Sequence, residues 1–166
     1  MLMKRKIYNS LMEWKAKDSG RVALLIDGAR RVGKSYIAEE FAKNEYKSYI
    51  LIDFNKVNKD VQRLFDDFLA DLDTFFAYLS AYFNVQLYPR ESLIIFDEVQ
   101  LFPRARAAIK YRVADGRYDY IETGSLISIK ANVSSLFVFP FRLSIFMHFL
   151  LISVTNRRRA CFSFCV

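Results

Sequence analysis

The sequence contains very few of the residues that build metal centres or disulfide frameworks. Its 166 residues include one histidine and two cysteines. His148, Cys161 and Cys165 cannot supply the ligands of a structural zinc site, and a disulfide-dense secreted domain would need more cysteines. No apolar segment of signal-peptide length follows the basic residues 1–6, so a cleaved leader is not expected. We predict a reduced, cytoplasmic protein without structural metal.

Acidic residues are absent from the end of the chain. All 18 Asp and Glu residues lie before residue 131, together with all but four of the 25 Lys and Arg residues. Those four arginines, Arg142 and residues 157–159, supply more than half of the net charge of +7. Because the first 130 residues are nearly charge-balanced, they do not support nucleic acid as a partner.

Apolar runs recur along the first 130 residues. Continuous runs at residues 22–26, 49–54 and 93–96 predict buried strands, and a fourth strand begins at residues 120–121. Segments with helical periodicity lie between these runs, so the pattern predicts a single α/β domain with a mainly parallel sheet.

The helical segments are recognised from apolar residues spaced three or four positions apart. This spacing predicts an N-terminal helix through Trp14, a helix at residues 34–43, and another from Pro103 to near Gly116. A longer stripe of the same spacing extends from residue 61 to residue 83. We interpret that stripe as core packing.

A glycine-rich motif lies between the first predicted strand and the helix that follows it. It matches G-x-x-x-x-G-K-[ST], and its residues are Gly28, Ala29, Arg30, Arg31, Val32, Gly33, Lys34 and Ser35. Glycines let such a loop curl so that backbone N–H groups face a phosphate, and the helix N-terminus adds its positive dipole end. The motif predicts that Lys34 reaches the β- and γ-phosphates of a nucleotide and that the Ser35 hydroxyl binds Mg²⁺.

Two acids, Asp97 and Glu98, follow the third apolar run in the pattern of a Walker B element. At the carboxyl end of a parallel strand, Asp97 would hold Mg²⁺ and Glu98 would orient or deprotonate the attacking water. An acid in the second position favours hydrolysis over phosphoryl transfer to another substrate. The alternative, that both acids cap the next helix, stays open.

The fourth strand ends at Ser125. We expect this strand to lie between the first and the third, which would bring Ser125 to the γ-phosphate as a sensor; an ordinary turn is the alternative. Arg30 and Arg31 are interpreted as solvated loop charge rather than catalytic groups, and contacts with phosphate or with a neighbouring subunit stay open.

The segments GARRVGKS, LIIFDEVQLFP and YIETGS together resemble the prokaryotic AAA+ ATPases whose core is followed by an uncharacterised C-terminal domain. The resemblance covers residues 4–130, and Gln100 is also typical of that family. It implies an AAA+-like P-loop NTPase fold, a three-layer α/β sandwich, that binds ATP and Mg²⁺. The site residues it implies are Gly28, Gly33, Lys34 and Ser35 for phosphates, Ser35 and Asp97 for Mg²⁺, Glu98 for water activation, and Ser125 for sensing.

Residues 131–166 depart from the family pattern. The family continues into a fifth strand, an arginine-bearing segment and a C-terminal domain, none of which is recognisable here. We therefore divide the chain into an AAA+-like core at residues 1–130 and an atypical hydrophobic tail at residues 131–166. The loss of Asp, Glu and Lys predicts a shifted reading frame or a truncated gene, and a family-like continuation in another frame of the coding DNA is the expected finding.

The tail allows three interpretations. It is a poorly packed, aggregation-prone segment, a makeshift edge strand at residues 136–139, or a membrane span at residues 136–154. Arg142 near the middle of such a span would cost about 2.5 to 3.5 kcal/mol. Membrane insertion is therefore not expected.

Three functions fit these patterns. The first is Mg²⁺-dependent ATP hydrolysis that moves an attached domain or a partner, with a second copy of the chain or another protein as candidate partners. The second is a truncated fragment that binds nucleotide without turnover, because it lacks the fifth strand and an arginine finger. The third is a small-molecule P-loop kinase, for which we recognise no lid segment.

Overall fold

The computed structural model describes residues 2–68, 71–125 and 142–147, in which helices and strands alternate. The elements in chain order are α1 Leu2–Asp18, β1 Ala23–Gly28, α2 Lys34–Glu45, β2 Ser48–Asp53, α3 Lys59–Asp67, α4 Leu72–Phe83, β3 Ser92–Asp97, a 3-10 helix Val99–Leu101, α5 Pro103–Asp115, β4 Asp119–Ser125 and β5 Arg142–Met147.

The strands form one sheet in the order β2-β3-β4-β1-β5, and all neighbouring strands are parallel. The predicted α/β fold with a mainly parallel sheet is confirmed. The position of β4 between β1 and β3 was also expected from the sequence. It brings the carboxyl ends of β1, β3 and β4 to one edge of the sheet.

A fifth strand, which was not recognisable in the sequence, follows the fourth at Arg142–Met147. β5 pairs with β1 from Ala23 opposite Arg142 to Gly28 opposite Met147. Strand pairing is made by backbone N–H and C=O groups. The lack of Asp, Glu and Lys in this part of the chain therefore does not prevent a strand. The edge strand predicted at residues 136–139 lies outside the described residues. Within them, no helix has both the length and the apolar character needed to cross a bilayer.

The sheet is covered by helices on both faces. Alternate strand residues point to opposite faces, and those represented by Ile26, Ile95 and Ile121 pack with α1 and α2. Residues of the other parity, such as Phe96 and Tyr120, pack with α3, α4 and α5. The result is the three-layer sandwich implied by the family resemblance.

The apolar stripe between residues 61 and 83 belongs to two helices, not one. The Asn58 side chain accepts hydrogen bonds from the backbone N–H groups of Asp60 and Val61 and begins α3. Asp71 accepts from the N–H of Thr74 and begins α4. Side-chain acceptors of this kind satisfy N–H groups that have no partner within the helix, so each polar residue starts a new helix within the stripe.

The core on the α3–α5 face contains an arginine. Arg112 of α5 is 0% exposed, and its guanidinium lies over the rings of Phe65 and Phe75, 4.8 and 4.1 Å from their centroids. Nη1 donates to the Ala108 carbonyl at 3.3 Å, whereas Nε and Nη2 have no hydrogen-bond partner among the described residues. Burial lowers the pKa of Arg112 to about 10, so the side chain stays cationic at neutral pH.

A polar cluster joins four chain segments at the amino edge of the sheet. Asp119, at the start of β4, accepts hydrogen bonds at Oδ2 from Ser19 Oγ at 2.7 Å and from Tyr46 OH at 2.6 Å. Arg90 donates to Asp119 Oδ1 at 3.5 Å and to Ser19 Oγ at 2.8 Å. Burial and the Asp119 carboxylate raise the pKa of Tyr46. We call these four residues the Asp119 cluster.

The Asp119 cluster depends on a glycine in the connection between α1 and β1. Gly20 has a φ of 71°, in the left-handed region that side chains rarely adopt, and a Cβ at this position would overlap Arg90 Nη1. Only glycine leaves space for the arginine to reach Asp119. The cluster therefore fixes this connection against the start of β4.

Candidate functional site

The glycine-rich loop, residues 28–35, connects the end of β1 to the start of α2. Gly33 is the N-cap of α2, with a φ of 86°, and Arg31 also has a left-handed φ of 61°. Left-handed residues at a helix N-terminus curl the backbone into the concave form in which N–H groups bind anions. The local geometry therefore suits a phosphate.

The position of this loop in the sheet is typical of ligand sites. β1 lies between β4 and β5, while α2 leads away to β2 at the far edge. In open parallel sheets, ligands bind outside the carboxyl ends of the strands where the strand order reverses. The loop occupies that position.

The Lys34 side chain is held by backbone carbonyls of the glycine-rich loop. Its side chain is 5% exposed, and Nζ donates to the Ala29 carbonyl at 2.7 Å and lies 3.5 Å from the Gly28 carbonyl. Burial lowers the pKa of Lys34, and the carboxylates of Glu98 and Asp97 act in the opposite direction. An anionic ligand at the loop would supply the charge that this desolvated ammonium needs.

The two residues predicted to hold Mg²⁺ are in direct contact. Ser35 Oγ donates to Asp97 Oδ1 at 2.7 Å, and Asp97 is 6% exposed. They meet because Asp97 has the same strand parity as Ile95, which faces α2. A residue at the first turn of α2 and one at the end of β3 are thereby brought together.

The chemistry of these oxygens fits Mg²⁺. Magnesium prefers hard oxygen ligands, keeps several waters and takes one or two carboxylates together with substrate phosphates. Ser35 and Asp97 supply a hydroxyl and a carboxylate next to a phosphate-type loop. The described residues contain no group of three or more His, Cys, Asp or Glu that could enclose a metal by themselves. A shared protein and phosphate site is therefore the kind of magnesium site that this geometry supports.

Thr123 is a residue of the site that the sequence analysis did not single out. Its Oγ1 donates to Asp97 Oδ1 and accepts a hydrogen bond from the Glu98 backbone N–H at 3.2 Å. The signal for it was the period of two in β4, since Thr123 shares the parity of both Ile121 and Ser125. The register between β4 and β3 determines that the Thr123 hydroxyl, and not that of Ser125, contacts Asp97.

Ser125 lies two residues beyond Thr123, at the end of β4. It is buried and is the register partner of Gly28, the first residue of the loop. The structure thus brings Ser125 to the loop, as the position of β4 predicted, while the contact with Asp97 is made by Thr123. Its role as a γ-phosphate sensor stays a prediction.

Glu98 immediately follows the buried strand. Its φ of 53° is left-handed, which is uncommon for a residue with a side chain, and its carbonyl accepts from the Leu101 N–H at 2.9 Å. Gln100 Nε2 donates to the Glu98 carboxylate. Glu98 is the N-cap residue of the 3-10 helix Val99–Leu101, but its side chain makes no capping hydrogen bond there.

Arg30 and Arg31 are exposed on the loop, whereas Lys34 is buried beneath it. Exposure agrees with the interpretation as solvated charge. Contacts of the two arginines with phosphate or with a neighbouring subunit stay predictions.

A family model for the AAA domain matches residues 20–138. Among the solved structures, PCH-2 of C. elegans matches with 16% identity and a TM-score of 0.36, over 74% of this chain and 34% of that one. This chain thus spans about a third of that structure's length. Among the curated proteins, none matches.

The family match covers most of the chain, including the loop, the acid pair and β4. The predicted family and the P-loop fold class are confirmed. The chain belongs to the AAA domain family, and this membership supports a nucleotide-binding, ATPase-like function.

Proposed function

We propose that the chain binds ATP with Mg²⁺ and hydrolyses it. The observation that carries the proposal is the contact between Ser35 and Asp97, 2.7 Å from Oγ to Oδ1, beside the buried Lys34. A hydroxyl, a carboxylate and an ammonium converge at a loop with anion-binding curvature. Specificity for adenine is inferred from the family, because the loop itself reads phosphates.

In the bound state, the backbone of residues 28–35 encloses the β-phosphate. Lys34 exchanges its loop carbonyls for β- and γ-phosphate oxygens, which replaces neutral acceptors with charged ones. Ser35 and Asp97 hold Mg²⁺, which neutralises charge on the phosphates when bound. Thr123 keeps the Asp97 carboxylate oriented.

Hydrolysis needs a base for the attacking water. The water oxygen bonds to the γ-phosphorus as the bond to the β–γ bridging oxygen breaks, and Glu98 accepts the water proton. The products are ADP and inorganic phosphate. Ser125 is the register partner of Gly28, which supports the proposal that its hydroxyl contacts the γ-phosphate.

The first experiment measures binding by titrating Mg-ATP into the chain and its variants. Lys34→Ala should raise the Kd about 10- to 100-fold, because it removes hydrogen bonds from a charged donor. Lys43→Ala is the matched control, since it removes a lysine from the exposed face of the same helix. Equal affinity of wild type and Lys34→Ala would contradict the proposed site.

The second experiment measures release of phosphate. Glu98→Gln should lower kcat about 10²- to 10⁴-fold and leave the Kd for Mg-ATP within a factor of about three, because it removes a base but keeps the shape. Glu91→Gln, at the exposed opposite end of β3, is the control. Binding without release by wild type would favour the nucleotide-binding fragment. Transfer of the γ-phosphoryl group to a small molecule would favour the kinase.

A further inference from the structure

The Glu98 residue is held at three points. Its N–H donates to Thr123 Oγ1 at 3.2 Å, its carbonyl accepts from the Leu101 N–H at 2.9 Å, and its carboxylate accepts from Gln100 Nε2. The first two bonds fix the left-handed backbone. The third fixes the direction of the side chain, which is otherwise free to rotate.

Gln100 is itself largely buried. It lies in the 3-10 helix Val99–Leu101, between β3 and α5, and is 9% exposed. Because a carboxylate only accepts hydrogen bonds, the amide nitrogen of Gln100 must face Glu98. The orientation of the amide is thereby determined, and its oxygen points away from that bond.

The side-chain amide oxygen of Gln100 destabilises the folded protein. Gln100 Oε1 is buried, and no atom of the described residues donates a hydrogen bond to it. An unsatisfied buried acceptor destabilises a protein by about 1 to 3 kcal/mol. Leucine or methionine would fill a similar volume without that penalty, so packing alone does not account for a glutamine here.

We propose that Gln100 is a positioning residue for ATP hydrolysis, which holds the Glu98 carboxylate in the direction needed to accept the proton of the attacking water. This inference rests on the proposed function of the site. Gln100 acts through Glu98, by donating from its amide nitrogen to the carboxylate. The role concerns turnover and leaves the phosphate contacts of Lys34 unchanged.

The test compares Gln100→Leu with wild type in binding and in turnover. Leucine keeps the volume and removes the donor. We expect kcat to fall about 10- to 100-fold, the loss associated with a misplaced reacting group, while the Kd for Mg-ATP stays within a factor of about two. Gln100→Glu should fall at least as far, because it places a second carboxylate against Glu98. Gln86→Leu, an exposed glutamine outside the site, is the control.

A double-mutant cycle separates positioning from a general structural effect. If Gln100 acts only through Glu98, then Gln100→Leu should not lower the residual kcat of Glu98→Gln any further. The side-chain amide signal of Gln100 in a ¹H–¹⁵N spectrum should also move when Glu98 is replaced by alanine. This signal reports the contact without requiring turnover.

Each failure has a separate meaning. If wild type hydrolyses ATP and Gln100→Leu has the same kcat, the role of Gln100 is overturned and the proposed function stands. If the two substitutions are additive in the cycle, Gln100 does not act through Glu98. If folded wild type binds Mg-ATP without hydrolysing it, the proposed hydrolysis is itself overturned, and with it the role of Gln100.

Discussion

Arg112 is a charged residue buried among aromatic side chains of the core. We expect Arg112→Met to raise the free energy of unfolding by about 1 kcal/mol, because two buried nitrogen donors without partners, Nε and Nη2, are removed and the volume is kept. The lost stacking on Phe65 and Phe75 offsets part of the gain. Urea denaturation measures the difference.

Arg104→Met is the control, since it removes an exposed arginine from the same helix. The pKa of Arg112 is lowered in the folded protein, so the penalty is complete below about pH 10 and decreases as the pH rises through that value. The advantage of methionine should therefore shrink above pH 10. A clear loss of stability in Arg112→Met at neutral pH would contradict this account.

Single residues of the site were predictable to different degrees. Lys34, Ser35 and Asp97 are set by local motifs, because a strand, a loop and a helix N-terminus impose their geometry within a few residues. The period of two in β4 marks Thr123, but its contact with Asp97 depends on the register between β4 and β3, and the contact of Gln100 with Glu98 depends on the turn after β3. Motifs therefore predicted the candidate ligands but not the contacts that orient them.

At the scale of the elements, Asn58 separates α3 from the loop before it. We expect Asn58→Ala to lower the free energy of unfolding by about 0.5 to 2 kcal/mol, because the N–H groups of Asp60 and Val61 lose their acceptor. Thermal unfolding followed by circular dichroism measures the change. Asn44→Ala, inside α2 and exposed, is the control and should be neutral or slightly stabilising. Equal effects of the two substitutions would refute the cap.

The stripe between residues 61 and 83 illustrates what periodicity can and cannot predict. Residues such as Val61, Phe65 and Phe76 are buried as their spacing indicated. The division into α3 and α4 depends on Asp71 as a second N-cap, and an aspartate within an apolar stripe is equally compatible with an exposed helix position. Burial was therefore predictable from the spacing, whereas the break between the helices was not.

At the scale of the whole molecule, β5 makes β1 an internal strand. We expect a chain ending at residue 130 to lose stability on the order of 3 kcal/mol, because the six-residue pairing with β1 is removed and an apolar strand becomes an edge. A chain ending at residue 147 keeps β5 and is the matched control. Urea denaturation and light scattering compare the three lengths.

That comparison also tests the proposed boundary between a core at residues 1–130 and a separate tail. Equal stability of the chains ending at residues 130 and 147 would support the boundary at residue 130. It would also show that β5 does not stabilise the fold. The sheet order was predictable for β1 to β4 because the family resemblance and the alternation of elements agree. For the tail, the sequence analysis placed a possible edge strand at residues 136–139, whereas β5 is Arg142–Met147.

The glycine beneath Arg90 limits how related sequences can vary. A Cβ at position 20 would overlap the guanidinium, so a larger residue there would displace the Arg90 side chain from its present position. A relative that keeps an arginine at position 90 to reach its Asp119 equivalent should keep glycine at position 20. A relative with any larger residue at position 20 should have a shorter side chain at position 90, and with it a different means of fixing the start of β4.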